Sequence, residues 1–135
     1  MRFTNAAGYG ISACSYLACV PDNQYASNTV VCKAFKMHDR FVSQVMLQLA
    51  KADIIESVQG RFGGYRLAKP ANKISLLEIV EAIDGPIDAN GDLDLTGMSK
   101  DSAATVEKAL AAIGADGRKR LAAVTLADLR AAKAA

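Results

Sequence analysis

Residues 49–69, LAKADIIESVQGRFGGYRLAK, place a glycine-rich basic turn between two short runs of strand-forming residues. The runs cover 54–58 and 65–68, and the turn lies between them. Glycines in such a turn allow the positive φ angles that a tight hairpin needs. An arginine at the tip, here Arg61, can enter a DNA minor groove, where the electrostatic potential is most negative. The stretch therefore predicts a β-hairpin wing of the kind that accompanies a helix-turn-helix.

Helical periodicity just upstream predicts the first helix of that motif. Residues 28–35 are expected to form a short helix. Its apolar side is predicted to comprise Val30, Val31, Ala34 and Phe35. A tight connection follows, and the Asp39 carboxylate is expected to cap the next helix.

The helix predicted over residues 40–51 has one apolar and one polar face. The apolar face comprises Phe41, Val42, Val45, Met46 and Leu49. The polar face comprises Arg40, Ser43, Gln44, Gln48 and Lys51. Hydrogen-bonding side chains near the start of the second helix are what reading a major groove requires. The alternative is an amphipathic helix with an uncommitted polar face, which the neighbouring wing makes less attractive.

Positive charge is concentrated on this part of the chain. Residues 33–73 contain eight Lys or Arg and three Asp or Glu, a net charge of +5, whereas the whole chain of 135 residues carries +2. Such a distribution is typical of a surface that binds phosphates. A solvated face that happens to be basic is the bland alternative.

The chain after the wing is predicted to be helical, which makes the fold class mainly α with a small β-wing. Ser75 and Glu78 have the spacing of a capping box and start a helix that runs to about Ile83. A further helical pattern over about 101–124 and a last short helix from Thr125 follow. We divide the chain into a DNA-binding domain (1–86), a loop (87–100) and a helical dimerisation arm (101–135).

The arm carries an apolar stripe that is expected to bury itself against a second subunit. The stripe comprises Val106, Leu110, Ile113, Leu121 and Val124. The alternative is that the arm folds back on its own domain.

The first residues are assigned to a helix over 8–20 rather than to an export signal. Arg2 and the apolar run to Val20 are similar to a lipoprotein signal, but polar residues and glycines interrupt the run. Tyr16 also stands where such signals have an aliphatic residue. No segment offers the about 20 apolar residues that cross a membrane, so a cytoplasmic protein with reduced thiols is expected.

These features together resemble the Rrf2 family of bacterial winged-helix transcription regulators. The resemblance is carried by MRFT at 1–4, LQLAKADII at 47–55, Gly60 with GGYRL at 63–67, and ISLLEIVEAIDG at 74–85. It extends over essentially the whole chain, including Thr125 and Leu126. The resemblance implies a homodimer with crossed C-terminal helices that binds a partly palindromic operator in double-stranded DNA.

The resemblance also implies roles for individual residues. The start of the recognition helix would hold Arg40, Phe41, Ser43 and Gln44, and Arg61 would be the wing residue. Phosphate contacts are expected from Lys33, Lys36, Lys51 and Arg66, and His38 in the turn is expected to cap a helix or contact phosphate. Family members usually carry an arginine just before the first wing glycine, where this chain has Gln59.

The family's cluster-binding members hold an iron–sulphur cluster with three cysteines in the loop before the dimerisation helix. Residues 87–105 of this chain contain no Cys and no His, and Glu107 stands where some members offer histidine. Asp88, Asp92, Asp94 and Asp101 supply hard oxygen donors, which replace thiolates poorly. We therefore predict no metal site and no cofactor.

Three cysteines lie elsewhere in the chain, at Cys14, Cys19 and Cys32. Cys14 and Cys19, on one predicted helix, would point about 140° apart, and Cys32 on the next helix can approach either. Free cysteines usually behave as small buried hydrophobes. Core packing is therefore the preferred interpretation, ahead of redox sensing and metal binding.

The sequence thus predicts a dimeric, sequence-specific DNA-binding regulator, most readily a repressor. A small molecule or a protein partner can be its effector, or the cysteines can sense oxidants. A protein-interaction module that has lost DNA binding is a rival that only Gln59 supports. An enzyme is not expected, because no nucleophile–base pairing, Walker-type phosphate loop or metal-ligand spacing is found.

Overall fold

The described residues of a computed structural model, 2–21, 24–36, 39–88 and 93–129, form a helical bundle with one β-hairpin. The helices are α1 (Asn5–Leu17), α2 (Asn28–Phe35), α3 (Asp39–Lys51), α4 (Leu76–Asp84) and α5 (Lys100–Ala122), with a 3₁₀ turn at Ala71–Lys73. The hairpin consists of antiparallel β1 (Ile55–Val58) and β2 (Gly64–Leu67). The predicted fold class, mainly α with a small β-wing, is confirmed.

Helix α1 begins and ends three residues earlier than predicted. Thr4 is its N-cap, because the Thr4 hydroxyl accepts a hydrogen bond from the Ala7 N–H at 3.2 Å. The Thr4 N–H in turn donates to the Asp84 carboxylate at the end of α4, at 3.2 Å. Apolar periodicity alone could not show this cap. Cys19 consequently lies beyond the helix, and its predicted placement on α1 together with Cys14 is wrong.

Helix α2 has the predicted bounds, but its predicted apolar side is partly wrong. Val30 is 43% exposed and Ala34 is exposed, whereas Val31 and Cys32 are buried. The reason is that α2 packs on both α1 and α3, so adjacent positions face the core instead of a single helical stripe. The side chain of Phe35 and the cap predicted for Asp39 lie outside the part of the chain that is described.

Helix α3 buries its apolar stripe as predicted, with one exception. Val42, Val45, Met46 and Leu49 are 4% exposed or less, but Phe41 is 42% exposed. Phe41 stands at the edge of the stripe, where its ring meets Tyr9 edge-on at a centroid distance of 5.3 Å. Its prediction as a core residue is therefore wrong. The other four are central to the core, where each large aliphatic side chain stabilises the fold by about 1.5–3 kcal/mol.

The hairpin is anchored to the segment before α2. Ile55 pairs with Leu67 and Val58 with Gly64 along the ladder. Ala26 adds a bridge that the sequence did not predict, because its N–H and carbonyl oxygen exchange two 2.8 Å hydrogen bonds with Tyr65. The base of the wing is thus fixed to the helix-turn-helix.

The capping box that starts α4 is confirmed. The Glu78 N–H donates to the Ser75 hydroxyl at 3.2 Å, and the Ser75 N–H donates to the Glu78 carboxylate at 3.0 Å. The last helix begins at the predicted place, since residues 126–129 are helical.

The chain after α5 returns to the core of the domain predicted over 1–86. The Leu76 N–H donates to the Val124 carbonyl at 2.9 Å, and the Leu126 N–H donates to the Ile74 carbonyl at 3.0 Å. Leu126 is completely buried in the same apolar cluster as Met46 and Leu49. The end of the predicted arm therefore belongs to the packing of that domain.

None of the helices within the described ranges combines the length and apolarity that a membrane span needs.

Candidate nucleic-acid interface

The outer face of α3 is a continuous exposed stripe. The five residues predicted for it are all exposed: Arg40, Ser43, Gln44, Gln48 and Lys51. They recur at helical spacing opposite the buried stripe, so one side of α3 presents hydrogen-bonding and cationic groups together. Leu47 is exposed within the same stripe. It was not predicted as a site residue, although its position between Gln44 and Gln48 would have indicated it.

A groove of about 480 Å³ runs along this face. On the α3 side it is lined by Gln44, Leu47, Gln48 and Lys51. Thr4 and Asp84 line the opposite side of the groove, where the start of α1 meets the end of α4. The outer face of α3 is thus bordered by the first helix and not buried by it.

The two cations predicted on and after α2 are exposed. Lys33 lies on α2, and Lys36 ends the helix in a left-handed conformation with φ of 53°. The Lys36 N–H donates to the Cys32 carbonyl, which fixes the direction in which the chain leaves α2. His38 lies outside the described residues.

The tip of the wing exposes Arg61 and Phe62. Gly60, with φ of +116°, starts the turn, and the Gly63 N–H closes it on the Gly60 carbonyl at 3.1 Å. The Arg61 guanidinium carbon lies 5.6 Å from the centre of the Phe62 ring. Phe62 is 86% exposed and was not predicted as a site residue. The sequence signal that could have identified Phe62 is a large apolar residue between the glycines of a turn.

Arg66 is engaged within the wing. Its Nε forms an ion pair with Glu56, the residue directly opposite on β1, and its guanidinium lies 4.7 Å from the Tyr25 ring centre. The hydrogen bond to Glu56 is the main reason that the pKa of Arg66 is raised. The predicted phosphate contact had assumed that Arg66 is unpaired. In the structure, the Glu56 carboxylate offsets its charge instead.

The capping residue Glu78 also binds a cation. Lys69 Nζ lies 2.7 Å from its carboxylate. Partial burial opposes ionisation of Glu78, but the hydrogen bonds from Lys69 and from the Ser75 N–H outweigh it and lower the pKa.

The remaining cations of the basic segment face solvent. Among the described side chains, the ion pairs involve Arg66, Lys69, Arg118 and Arg120. They leave out Lys33, Lys36, Arg40, Lys51 and Arg61. The polar face of α3 and the wing tip are thus accompanied by positive charge that no described carboxylate neutralises, which is what an anionic polymer requires.

The stripe predicted for dimerisation is only partly exposed. Ile113 is 54% exposed, whereas Val106, Leu110, Leu121 and Val124 are half-buried. Near the end of α5, Arg118 forms an ion pair with Glu81 of α4. The end of α5 therefore packs on its own domain, whereas Ile113 near the middle of the helix is open to solvent.

The donor groups of this chain do not fit an iron–sulphur cluster. Cys14 and Cys32 are buried in α1 and α2, Cys19 is exposed, and burial raises the pKa of the Cys14 thiol to about 12. Asp94 accepts hydrogen bonds from the N–H and hydroxyl of Thr96, at 3.0 and 2.7 Å, within its own turn. Within the described ranges, no three His, Cys, Asp or Glu side chains converge on a metal site. A cluster needs several accessible thiolates, and of the three cysteines only Cys19 is exposed.

The family described as Rrf2, iron-dependent transcriptional regulator, matches residues 3–132. Among solved structures, CymR, the global cysteine regulator of B. subtilis, is 20% identical with a TM-score of 0.76, and 97% of each chain is covered. The oxidized form of Staphylococcus aureus CymR is 23% identical with a TM-score of 0.72 over 96% of each chain. T. potens IscR is 23% identical with a TM-score of 0.69, covering 96% of this chain and 85% of that one. Similarity at this level confirms the fold, and the family match spans nearly the whole sequence. The chain belongs to the Rrf2 family of transcriptional regulators.

Proposed function

We propose that this chain is a sequence-specific DNA-binding regulator that acts as a homodimeric repressor in the cytoplasm. The observation that carries the proposal is the exposed polar stripe of α3 beside an exposed basic wing. The repressor role supposes an operator that overlaps a promoter, where a bound dimer would exclude polymerase. A protein-interaction module without DNA binding is disfavoured, since it would not need solvent-facing cations at both α3 and the wing.

The two elements suit the two grooves of B-DNA. A major groove about 12 Å wide admits α3, whose first turns present Arg40, Ser43 and Gln44. Arg61 at the wing tip suits the adjacent minor groove. The cations around this face, Lys33, Lys36 and Lys51, are placed to neutralise phosphates, which fix the register but carry no sequence information.

The proposal is tested with an operator selected from random duplexes and two matched variants. Arg40→Ala should lower affinity for the operator by about 1–3 kcal/mol and hardly change binding to random DNA. Lys51→Ala should weaken both and reduce the salt slope by about one. Lys119→Ala, which removes an exposed cation of α5, is the control and should change neither. Identical behaviour of the first two variants on both duplexes would show that α3 is not the reading face.

The homodimer is proposed to form through the middle of α5, around the exposed Ile113. Ile113→Glu places a charge at its exposed apolar position, so the particle mass measured by light scattering should fall to that of one chain. Ala111→Glu adds the same charge on the opposite side of the helix and should leave the mass unchanged. A dimer that survives Ile113→Glu would place the interface elsewhere.

We also propose that the regulator works without a conventional iron–sulphur cluster. The support is the set of possible ligands, because residues 87–105 contain no Cys and no His and two of the three thiols are buried. Protein purified without oxygen should be colourless and free of iron and acid-labile sulphide. Stoichiometric iron and sulphide would contradict the proposal and would mean that Cys14, Cys19 or Cys32 had been recruited as ligands.

A thiol switch finds less support in the same cysteines. A thiolate is the reactive form of cysteine, and the raised pKa of Cys14 keeps that thiol protonated at neutral pH. We therefore expect mild peroxide to oxidise the exposed Cys19 alone, as a thiol count would show, and to leave operator binding unchanged.

A further inference from the structure

The wing tip carries an apolar side chain in an unusual position. Phe62, at 86% exposure, is more open to solvent than any other large apolar residue among those described. Single exposed apolar residues are common on protein surfaces, so exposure by itself identifies no role. Phe62 is distinguished by the anchored hairpin that carries it and by the arginine beside its ring.

The ring is held out on a firmly anchored hairpin. The turn beneath it is closed by the hydrogen bond between Gly63 and Gly60, and the ladder behind it is bonded to Ala26 at Tyr65. Gly64, with φ of +146°, lies so close to this anchor that a Cβ atom there would be 2.4 Å from the Ala26 carbonyl oxygen. A side chain presented by a preorganised backbone loses little further freedom on binding.

The surroundings of the ring are cationic and apolar together. Arg61 lies over the ring at 5.6 Å. Arg61, Phe62 and Gly63 also line a shallow cleft of about 380 Å³ with Tyr25, Ser27 and Val30. No carboxylate is found among the described residues that line it. A cation beside an exposed aromatic ring matches a target that combines phosphates with stacked bases, since apolar side chains enter minor grooves as wedges next to arginines.

We propose that Phe62 is an apolar wedge that enters the minor groove at a base step next to Arg61 and bends the operator. This inference rests on the proposed DNA-binding function and adds a means of recognition to it. Partial unstacking is easiest at pyrimidine–purine steps. The wedge would therefore select such a step at each wing position, outside the bases that α3 reads.

The test compares three variants of the full chain on the selected operator. Phe62→Ala should lower operator affinity about 5- to 150-fold, the range that corresponds to loss of one base–aromatic contact. It should also abolish the bend measured by energy transfer between dyes at the duplex ends. Phe62→Leu keeps an apolar wedge and should retain the bend. Leu93→Ala removes an exposed apolar side chain of the loop and should change nothing.

A second readout reports on the base step directly. With 2-aminopurine at the proposed step, wild-type protein should raise the fluorescence and Phe62→Ala should not. Because the ring is almost fully exposed, thermal unfolding of Phe62→Ala should match the wild type, so a binding defect cannot be ascribed to misfolding.

The other outcomes contradict either the wedge alone or the wedge together with the proposed function. If Phe62→Ala binds and bends DNA like the wild type while Arg40→Ala still loses specificity, the wedge is wrong and the proposed function stands. If Phe62→Ala changes the particle mass but not the DNA complex, the ring is a protein contact and the wedge is again wrong. If the wild-type protein selects no operator, both the wedge and the proposed function fail.

Discussion

At the residue scale, the three cysteines differ sharply in their surroundings. Cys14 has no exposed surface and packs in the core cluster, Cys32 is nearly as buried, and Cys19 stands in the turn after α1. Desolvation disfavours the charged form of an acid, which is why burial raises the pKa of Cys14. The chain thus contains one accessible thiol, Cys19, and two buried thiols, of which Cys14 has a raised pKa.

We expect iodoacetamide to modify Cys19 first in the native protein at pH 8. Cys14 should react only after unfolding, because both its burial and its raised pKa suppress attack. Peptide mapping by mass spectrometry, with and without denaturant, gives the order of labelling. Cys19→Ser is the control and should remove the fast reaction. Labelling of Cys14 at the rate of Cys19 would show that α1 opens readily in the native state.

Side-chain partners at this scale were the hardest feature to predict. Glu56 and Arg66 are opposite each other only because of the register of the ladder, and the sequence offered several registers for a turn rich in glycine. The contact between Arg66 and Tyr25 joins residues 41 positions apart in sequence. Arg66 was therefore predicted as an open cation, and its engagement with Glu56 is visible only in three dimensions.

At the scale of single elements, the start of α4 combines a helix cap with an ion pair. The Glu78 carboxylate accepts from the Ser75 N–H and from Lys69 Nζ at once. Both contacts favour the ionised form, so the pKa of Glu78 is lowered despite its partial burial. A lowered pKa means that the unfolded chain binds more protons in the acid range, so this stabilisation is present above about pH 4.5 and disappears as the pH falls further.

Glu78→Gln should therefore be destabilising at pH 7 and much less so at pH 3. We expect a loss of about 0.5–1 kcal/mol in the free energy of unfolding at neutral pH, because the pair with Lys69 is partly exposed. Urea unfolding at the two pH values measures the difference. Asp116→Asn, which disrupts a more exposed pair on α5, should have little effect at either pH. A loss for Glu78→Gln that is equal at both pH values would contradict the assigned ionisation.

Elements whose signals are local were predictable. The capping box lies within four consecutive residues, and the apolar stripe of α3 follows one helical period, so both could be located from sequence. The buried side of α2 depends on two neighbouring helices, and the Ala26 bridge is a single residue pair without alternation. Those features are set by tertiary contacts, and local patterns do not contain them. Likewise, the polar face of α3 was predicted. The exposed apolar residues of the candidate site, Leu47 on α3 and Phe62 at the wing tip, were not predicted as site residues.

At the scale of the whole molecule, the segment after α5 completes the core. Leu126 is fully buried against the cluster that also holds Leu49 and Ile79. The backbone around Thr125 is hydrogen-bonded to the residues at the start of α4, since the Leu76 N–H donates to the Val124 carbonyl and the Leu126 N–H donates to the Ile74 carbonyl. The segment after α5, which was predicted as part of the arm, is consequently attached to the domain formed by residues 1–86.

Leu126→Ala should destabilise the entire protein. Removing a fully buried leucine side chain costs about 2–5 kcal/mol, and we expect this loss in urea unfolding followed both at the helices and at the aromatic residues. Leu93→Ala, at an exposed position, is the matched control and should leave the midpoint unchanged. If Leu126→Ala only loosened the last residues and left the main transition unshifted, the segment would be an independent attachment.

The position of Leu126 in the core also affects how the protein is made. Domains generally fold as units during synthesis, and here the core that supports α3 and the wing lacks one of its central side chains until residue 126 has left the ribosome. A nascent chain that stops within α5 would carry the whole reading face without a finished interior. We expect such a fragment to be degraded and not to occupy DNA, so that translation delivers only regulators that already possess the proposed dimerisation arm.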